Sequence, residues 1–433
     1  MLHAYSVFAA NPLPYGGGAQ RCVNGIHSKF VAFVQSLSFK HQGVVQMQAS
    51  SWEGSALTSS SAARTPGDDR TDVTPSAQIT STPRKTRVEW VDIAKGLTIV
   101  LVVLLHVVDM LVRRDMTPEV WRTINGYLQP VRMPLFFVAS GLFAQGMIAM
   151  AWPTMLRSRV AHLFYLYMLW LVVFFAVHNV LPQEVSHGGY ASWQNIVGGI
   201  YMPNSALWFI YGLAVFAVAA KLMSKLPLWV QFSAAIALSV FSQYYTIVHW
   251  SWNNLAEYFV YFLLGLHARS VIIKVSNRNS VPWVLAAIAA YAAVFAVLRG
   301  TSIDVPGMKI VLTTFGLLAG VLVASALVRT WLGEMLNKVG RNTLPVYLML
   351  DILIAVLVFG LMKTPIVGGL VVVQFIAPVV LTVATVMLAL YVHKALMAAR
   401  LTWLFELPPK LRGTASTSTA TTSTAAKSTA TKS

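Results

Sequence analysis

The sequence predicts an all-α integral membrane protein, a polytopic bundle of about ten transmembrane helices with disordered N- and C-terminal extensions. Of its 433 residues, 56% are hydrophobic and only 11% are charged, whereas about a quarter of the residues in a soluble domain are charged. The mean hydropathy is +0.64. Apolar runs of roughly 18 residues, long enough to cross about 30 Å of hydrocarbon, occur at about 92–112, 134–150, 160–181, 206–223, 228–247, 253–268, 281–298, 308–328, 342–362 and 367–396.

The two ends of the chain differ in composition from this apolar region. Residues 1–86 form an N-terminal extension whose Ser/Thr/Pro-rich part, near 49–83, is predicted to be disordered, because such a segment buries too little apolar area to offset its ordering entropy. Residues 401–433 form a C-terminal tail of low complexity, almost wholly Ser, Thr, Ala and Lys from Gly413 onwards. The transmembrane domain is therefore predicted to span residues 87–400.

The charge pattern predicts the topology. The formal charge of +17 comes from Lys and Arg residues that lie mostly between apolar runs instead of on one basic face, so the bilayer, not nucleic acid, is the expected partner. A cytoplasmic N-terminus fits the positive-inside rule, with 113–132 and its four arginines as the main exception. An even number of spans then returns the C-terminus to the cytoplasm. Cys22 is the one cysteine, which excludes an intrachain disulfide or a cysteine-based metal site, and no metal site is predicted.

The first apolar run carries the strongest functional signal. Asp92, Lys95, His106 and Asp109 fall on one helical face, within an arc of roughly 120°. Ionisable groups inside a bilayer are costly and usually mark a functional site. His106 lies about 21 Å beyond Asp92 at 1.5 Å per residue; it can accept a proton from a hydroxyl, and Asp109 can orient it. The alternatives are a structural histidine bonded to a neighbouring helix and a proton relay in a transporter.

The start of the third run places Arg159, His162 and Tyr165 on one side, at the predicted cytoplasmic face. A guanidinium group there can bind phosphate, although topology alone also accounts for arginines at this position. A cationic patch at the cytoplasmic side of the membrane and a proton acceptor nearer the outer side would together suit a long acyl donor. Such a donor is anionic at one end and reactive at the other. Acyl-coenzyme A has that shape.

Other polar and aromatic groups are weaker candidates. Glu257 and Asp351 are intramembrane carboxylates that can line an acceptor cavity or pair with His or Lys. His178, Trp208 and Tyr211 can contact a sugar ring, but aromatic residues at these positions also suit an interfacial belt.

Several motifs, in this order, resemble those of the acyltransferase 3 family of integral-membrane sugar O-acyltransferases, including its fucose 4-O-acetylase-like and inner-membrane members. They are the first-span stretch from Arg87 through Asp92-Ile-Ala-Lys-Gly to His106, Pro134-Leu-Phe-Phe-Val-Ala-Ser-Gly141, Leu207-Trp-Phe-Ile-Tyr211 and Gly340-Arg-Asn-Thr-Leu-Pro-Val-Tyr-Leu348. The chain departs from the family where Arg159-Val-Ala-His162 replaces Arg-x-x-Arg, and where Leu350 and then Asp351 stand in place of a histidine.

The resemblance implies a bacterial inner-membrane enzyme that moves an acyl group, most often acetyl, from acyl-CoA to a carbohydrate hydroxyl of a surface, lipid-linked or exported glycan. It implies His106 as the general base with Asp109 as its partner, and Arg159 and His162 as donor contacts. Asp92, Lys95, Glu257 and Trp208 are the expected substrate contacts. Acetyl-CoA, or another acyl-CoA, is the expected donor substrate, and no permanently bound cofactor is expected.

A transporter or glycan exporter is the alternative from another class, with His106 and Asp109 as its proton relay. The sequence favours the enzyme, because no inverted pair of Gly/Pro-broken spans is visible of the kind that transporters use at the midplane. A degenerate family member that only binds or assembles is a third alternative.

Overall fold

The computed structural model describes residues 89–187, 189–301, 305–364 and 371–408. Within these ranges the regular structure is helical, without strands. The predicted disorder of residues 1–86 and of the tail beyond residue 408 lies outside the described residues.

The longer helices are numbered here in chain order. They are α1 (Glu89–Val112), α2 (Val120–Gly141), α3 (Ala161–His178), α4 (Trp208–Met223), α5 (Leu228–Tyr244), α6 (Trp250–His267), α7 (Arg269–Ser276), α8 (Val281–Thr301), α9 (Met308–Ala326), α10 (Trp331–Gly340), α11 (Thr343–Met362) and α12 (Val371–Ala398). Short helices occur at Gln145–Ile148, Trp152–Met155 and Trp193–Gly198, and a π-helical turn, Leu156–Val160, leads into α3.

Six helical stretches in the described chain are long and apolar enough to cross a membrane: α1, Trp152–His178 with α3, α8, α9, α11 and α12. A seventh is obtained if α6 and α7, bent by 83°, form one span. The predicted count of about ten is therefore not confirmed. The run at 134–150 is interrupted where α2 ends at Gly141, and those at 206–223 and 228–247 form helices of only 16 and 17 residues.

Helix α1 lies at the centre of the bundle, packed against α2, α9, α10, α11 and α12. Its contact with α10 depends on two glycines that bring the backbones together. A Cβ atom on Gly96 would lie 2.0 Å from the carbonyl oxygen of Leu336, and one on Gly340 would lie 1.7 Å from that of Asp92. Only glycine fits at such distances, so this crossing fixes the depth of α1 in the bundle.

The connection between α3 and α4, residues 179–207, is pinned to the bundle from several sides. The Arg114 guanidinium, just after α1, donates a 3.0 Å hydrogen bond from Nε to the carbonyl of Glu184. The Tyr347 hydroxyl, on α11, donates to the carbonyl of Ala206, whose N–H donates in turn to the Tyr190 hydroxyl at 3.0 Å. These bonds hold the loop over the end of the bundle where α1 and α3 terminate.

The segment after α12 packs against the start of α3. The Tyr165 hydroxyl donates to the carbonyl of Trp403 at 3.0 Å, and the Trp170 indole donates to that of Leu404 at 2.8 Å. Phe405 and Leu407 are buried. The first residues of the predicted C-terminal tail are thus part of the packed structure.

Candidate active site

His106 lies on α1, in its last two turns, and its side chain keeps some accessible surface although protein surrounds it. Within the described residues, neither of its ring nitrogens has a hydrogen-bond partner. The charges that act on its imidazole belong to Asp351, Asp109, Arg132 and His187. His106 is therefore positioned to exchange a proton with a bound molecule.

Asp351, on α11, is the carboxylate at the centre of this group and is 3% exposed. His178 Nε2, at the end of α3, lies 3.0 Å from its Oδ2. His187 Nε2, in the connection between α3 and α4, lies 3.7 Å from its Oδ1. Each oxygen of the carboxylate thus faces a different imidazole, and three separate elements meet at one residue.

The hydrogen bonds also fix the tautomer of His178. Its Nδ1 accepts a hydrogen bond from the backbone N–H of His187 at 3.2 Å, so this nitrogen carries no proton. The proton of the neutral ring is therefore on Nε2, which donates to Asp351. His178 is fully enclosed, and because both of its nitrogens are engaged, it fixes the position of the carboxylate.

His187 and Tyr190 complete the group from the loop. The His187 side chain is 34% exposed. Burial lowers the pKa of its imidazole below the usual value, an effect that the nearby carboxylate of Asp351 partly offsets. The Tyr190 ring packs edge-on against both His178 and His187, and burial raises the pKa of its hydroxyl.

Asp109, the predicted partner of His106, lies at the edge of this group. Its carboxylate accepts a 2.5 Å hydrogen bond from Arg113 and is 39% exposed. Its charge acts on His106, but less strongly than that of Asp351. Asp351 is therefore the carboxylate most closely linked to His106.

Arg132 is a buried cation whose charge acts on His106, and it is not among the site residues predicted from the sequence. It lies on α2, is 3% exposed, and its Nη1 donates to the carbonyl of Leu101 at 3.4 Å and to Asn125 Oδ1 at 3.5 Å. The signal for it was present in the sequence, because an arginine directly before an apolar run stands out, but it was interpreted as an exception to the charge rule.

The predicted donor contacts lie at the other end of α3. His162 precedes His178 by about 24 Å along the helix, at 1.5 Å per residue. Arg159 is exposed in the π-helical turn before α3, and His162 Nδ1 accepts a 3.3 Å hydrogen bond from the backbone N–H of Leu407. These two residues are therefore not part of the group around His106.

Two of the predicted substrate contacts, Asp92 and Lys95, also lie far from His106, near the start of α1. Lys95 Nζ is 3.9 Å from Asp92 Oδ1 and 4.1 Å from the centre of the Phe143 ring. Asp92 is buried, and Lys95 is partly exposed.

The other two, Glu257 and Trp208, interact with residues outside the group around His106. Glu257 Oε2, on α6, lies 2.7 Å from Lys309 Nζ. The Trp208 ring packs against Phe137 and Tyr258, with centroid distances of 6.0 and 6.2 Å.

The comparison with protein families identifies the class. A family model described as an acyltransferase domain matches residues 88–393, so the chain belongs to the acyltransferase 3 family. Together with its apolar helices, this defines a multi-pass membrane protein of an acyltransferase family.

Among individual proteins, the chain is similar to the inner membrane protein YcfT of Escherichia coli (strain K12). The two are 26% identical over 196 residues, which cover 41% of this chain and 55% of YcfT. The match thus spans little more than half the length of that relative. No solved structure matches the chain.

Proposed function

We propose that this protein transfers an acyl group, most simply acetyl, from acyl-CoA to a carbohydrate hydroxyl of a surface, lipid-linked or exported glycan. The observation that carries the proposal is His106, whose ring nitrogens are unengaged among the described residues, and whose imidazole feels the charge of a buried carboxylate that a second histidine holds in place. Such an arrangement suits a base that takes a proton from a hydroxyl. The acyltransferase family favours this function over a transporter.

In the proposed reaction the acceptor hydroxyl oxygen attacks the thioester carbonyl while His106 takes the hydroxyl proton. A C–O bond forms, the C–S bond breaks, and CoA leaves as a thiolate. The carboxylate of Asp351 stabilises the positive charge that develops on His106. The buried guanidinium of Arg132 is the nearby cation that can stabilise the negative charge developing on the carbonyl oxygen.

The donor would enter from the opposite end of the bundle, where Arg159 and Lys95 supply positive charge. Guanidinium and ammonium groups suit the phosphates of CoA. Its pantetheine arm would then extend along α1 and α3 toward His106. This orientation places both termini in the cytoplasm of a bacterial cell and the connection 179–207, which contains no Lys or Arg, on the outer side.

The proposal is tested by supplying membranes that carry the intact protein with labelled acetyl-CoA or labelled succinyl-CoA. Membranes with the Arg159→Ala variant at matched expression serve as the comparison. Label from acetyl-CoA should appear in the glycan or glycolipid fraction, and the variant should need a higher donor concentration to reach the same rate. Transfer from neither donor, with acceptor-containing extract present, would contradict the proposal.

A further inference from the structure

The Tyr347 hydroxyl joins α11 to the end of the connection 179–207. Tyr347 is 5% exposed, and its hydroxyl donates a hydrogen bond to the carbonyl of Ala206, the next to last residue of the connection. Resting on the proposed function, we infer that Tyr347 is a positioning residue: it fastens the connection to α11, and the connection in turn holds His178 against Asp351.

A closed series of contacts carries this inference. The backbone N–H of Ala206 donates to the Tyr190 hydroxyl at 3.0 Å, and the Tyr190 ring lies edge-on to His178 with 5.1 Å between the ring centres. His178 Nε2 lies 3.0 Å from Asp351 Oδ2. Asp351 is on α11, one turn after Tyr347 and on the same face of that helix. The contacts therefore leave α11 at Tyr347, pass through the connection, and return to α11 one turn later.

The connection also holds His178 through two direct hydrogen bonds. The backbone N–H of His187 donates to His178 Nδ1 at 3.2 Å, and the Ser186 hydroxyl donates to the His178 carbonyl at 2.8 Å. Both donors lie in the connection, so its position fixes the tautomer and the orientation of the His178 ring. A catalytic group keeps a precise position only when the residues around it are themselves fixed. A loosened connection would therefore release the ring that holds the Asp351 carboxylate.

The partners of the Tyr347 hydroxyl favour a positioning role over a catalytic one. Besides donating to Ala206, the hydroxyl accepts a 3.2 Å hydrogen bond from the backbone N–H of Phe209. Phe209 is in the first turn of α4, where a backbone N–H has no acceptor within its own helix. The hydroxyl thus satisfies a buried carbonyl and a buried amide, and its single proton is held by the carbonyl. It is placed to hold the chain, not to exchange a proton with a substrate.

The test uses the full-length protein, purified and placed in liposomes, with ester formation from labelled acetyl-CoA as the measurement. Tyr347→Phe removes the hydroxyl and keeps the ring, whose centre lies 5.8 Å from that of Phe209. It should lower kcat by about 10-fold, because a small misplacement of a positioned group can cost about 100-fold in rate. The KM for acetyl-CoA should stay unchanged, because the donor would enter at the opposite end of the bundle.

A double-variant comparison tests the series of contacts itself. Tyr190→Phe, which removes the acceptor of the Ala206 N–H, should lower kcat to a similar extent. The variant with both changes should be no slower than the slower single variant, because both hydroxyls act through Ala206 and their effects are therefore not independent.

A second measurement does not depend on activity. Hydrogen exchange of the backbone amides in the connection 179–207 should be faster in Tyr347→Phe than in the unaltered protein. Tyr261→Phe is the matched control, because it removes another buried phenol hydroxyl, which donates to the carbonyl of Ile310 and joins α6 to α9. This control should change neither kcat nor the exchange of the connection.

The positioning role is overturned if Tyr347→Phe keeps the original kcat or the original exchange of the connection. It is also overturned if the loss in the double variant equals the product of the two single losses. In each case, transfer by the unaltered protein and its loss in His106→Ala would leave the proposed function standing; absence of transfer by the unaltered protein would overturn both.

Discussion

Asp351 and His178 are 173 positions apart in the chain, yet His178 Nε2 and Asp351 Oδ2 are held at 3.0 Å inside the bundle. The backbone N–H of His187 fixes the proton of His178 on the nitrogen that faces the carboxylate. Two hydrogen bonds therefore join α3, α11 and the loop, and they hold in place the carboxylate whose charge acts on His106.

Replacing Asp351 with Asn tests the importance of that charge. The variant keeps the shape but removes the negative charge that would stabilise protonated His106, so kcat should fall by about 10- to 100-fold. Asp109→Asn is the matched change. Because Asp109 is 39% exposed and paired with Arg113, it should lower kcat by no more than about threefold. Steady-state kinetics on both variants decides between the two carboxylates, and a larger loss with Asp109→Asn would reverse their roles.

The lowered pKa of His187, in the connection between α3 and α4, predicts how the stability of the protein depends on pH. The pKa of His187 is lowered in the folded protein by burial, so between that value and the unfolded value of about 6.5 the unfolded state binds more protons. The contribution of neutral His187 to the free energy of unfolding is therefore fully present above about pH 6.5 and is lost as the pH falls through the pKa of the folded state. Thermal unfolding in detergent from pH 8 to 5 should show a smaller loss for His187→Gln than for the unaltered protein. Parallel curves for the two proteins would contradict the pKa shift.

The crossing of α1 and α10 should not tolerate a side chain at Gly96. A methyl group there would lie 2.0 Å from the Leu336 carbonyl oxygen, and overpacking of this kind costs about 1–3 kcal/mol or more. Gly96→Ala should lower the unfolding temperature and the yield of folded protein. Gly360→Ala, where a Cβ atom meets nothing within 4 Å, is the control and should be neutral or slightly stabilising.

The segment after α12 should contribute to stability through Phe405. This ring is 5% exposed and packs against Trp170 and His393, so Phe405→Ala should destabilise the protein by about 3–5 kcal/mol. Trp403, at 44% exposure, supplies the matched control, and its replacement by Ala should have a much smaller effect. Equal unfolding temperatures for the two variants would show that the segment does not hold α12 to α3.

The helical class could be predicted from the sequence because long apolar runs are a local signal. His106 could be selected as a candidate for the same reason, because it is an ionisable group within one of these runs. The number of transmembrane spans could not be predicted, because hydropathy measures composition and does not locate helix ends such as those of α4 and α5. Asp351 could be identified as an intramembrane carboxylate that can pair with His or Lys, but the sequence does not show which residue it pairs with. His187 could not be selected, because only the folding of the loop onto the bundle brings its charge to act on His106. Arg132 stands out in the sequence as an arginine directly before an apolar run, but its link to His106 depends on the packing of α2 against α1.

The central claim is that His106 takes the proton of the acceptor hydroxyl, and its most direct test is acyl transfer by His106→Ala at matched expression and matched unfolding temperature. The account predicts that labelled ester formation from acyl-CoA falls by at least about 100-fold while the variant still binds the donor with the original affinity. Equal ester formation by the variant and the unaltered protein would contradict the account.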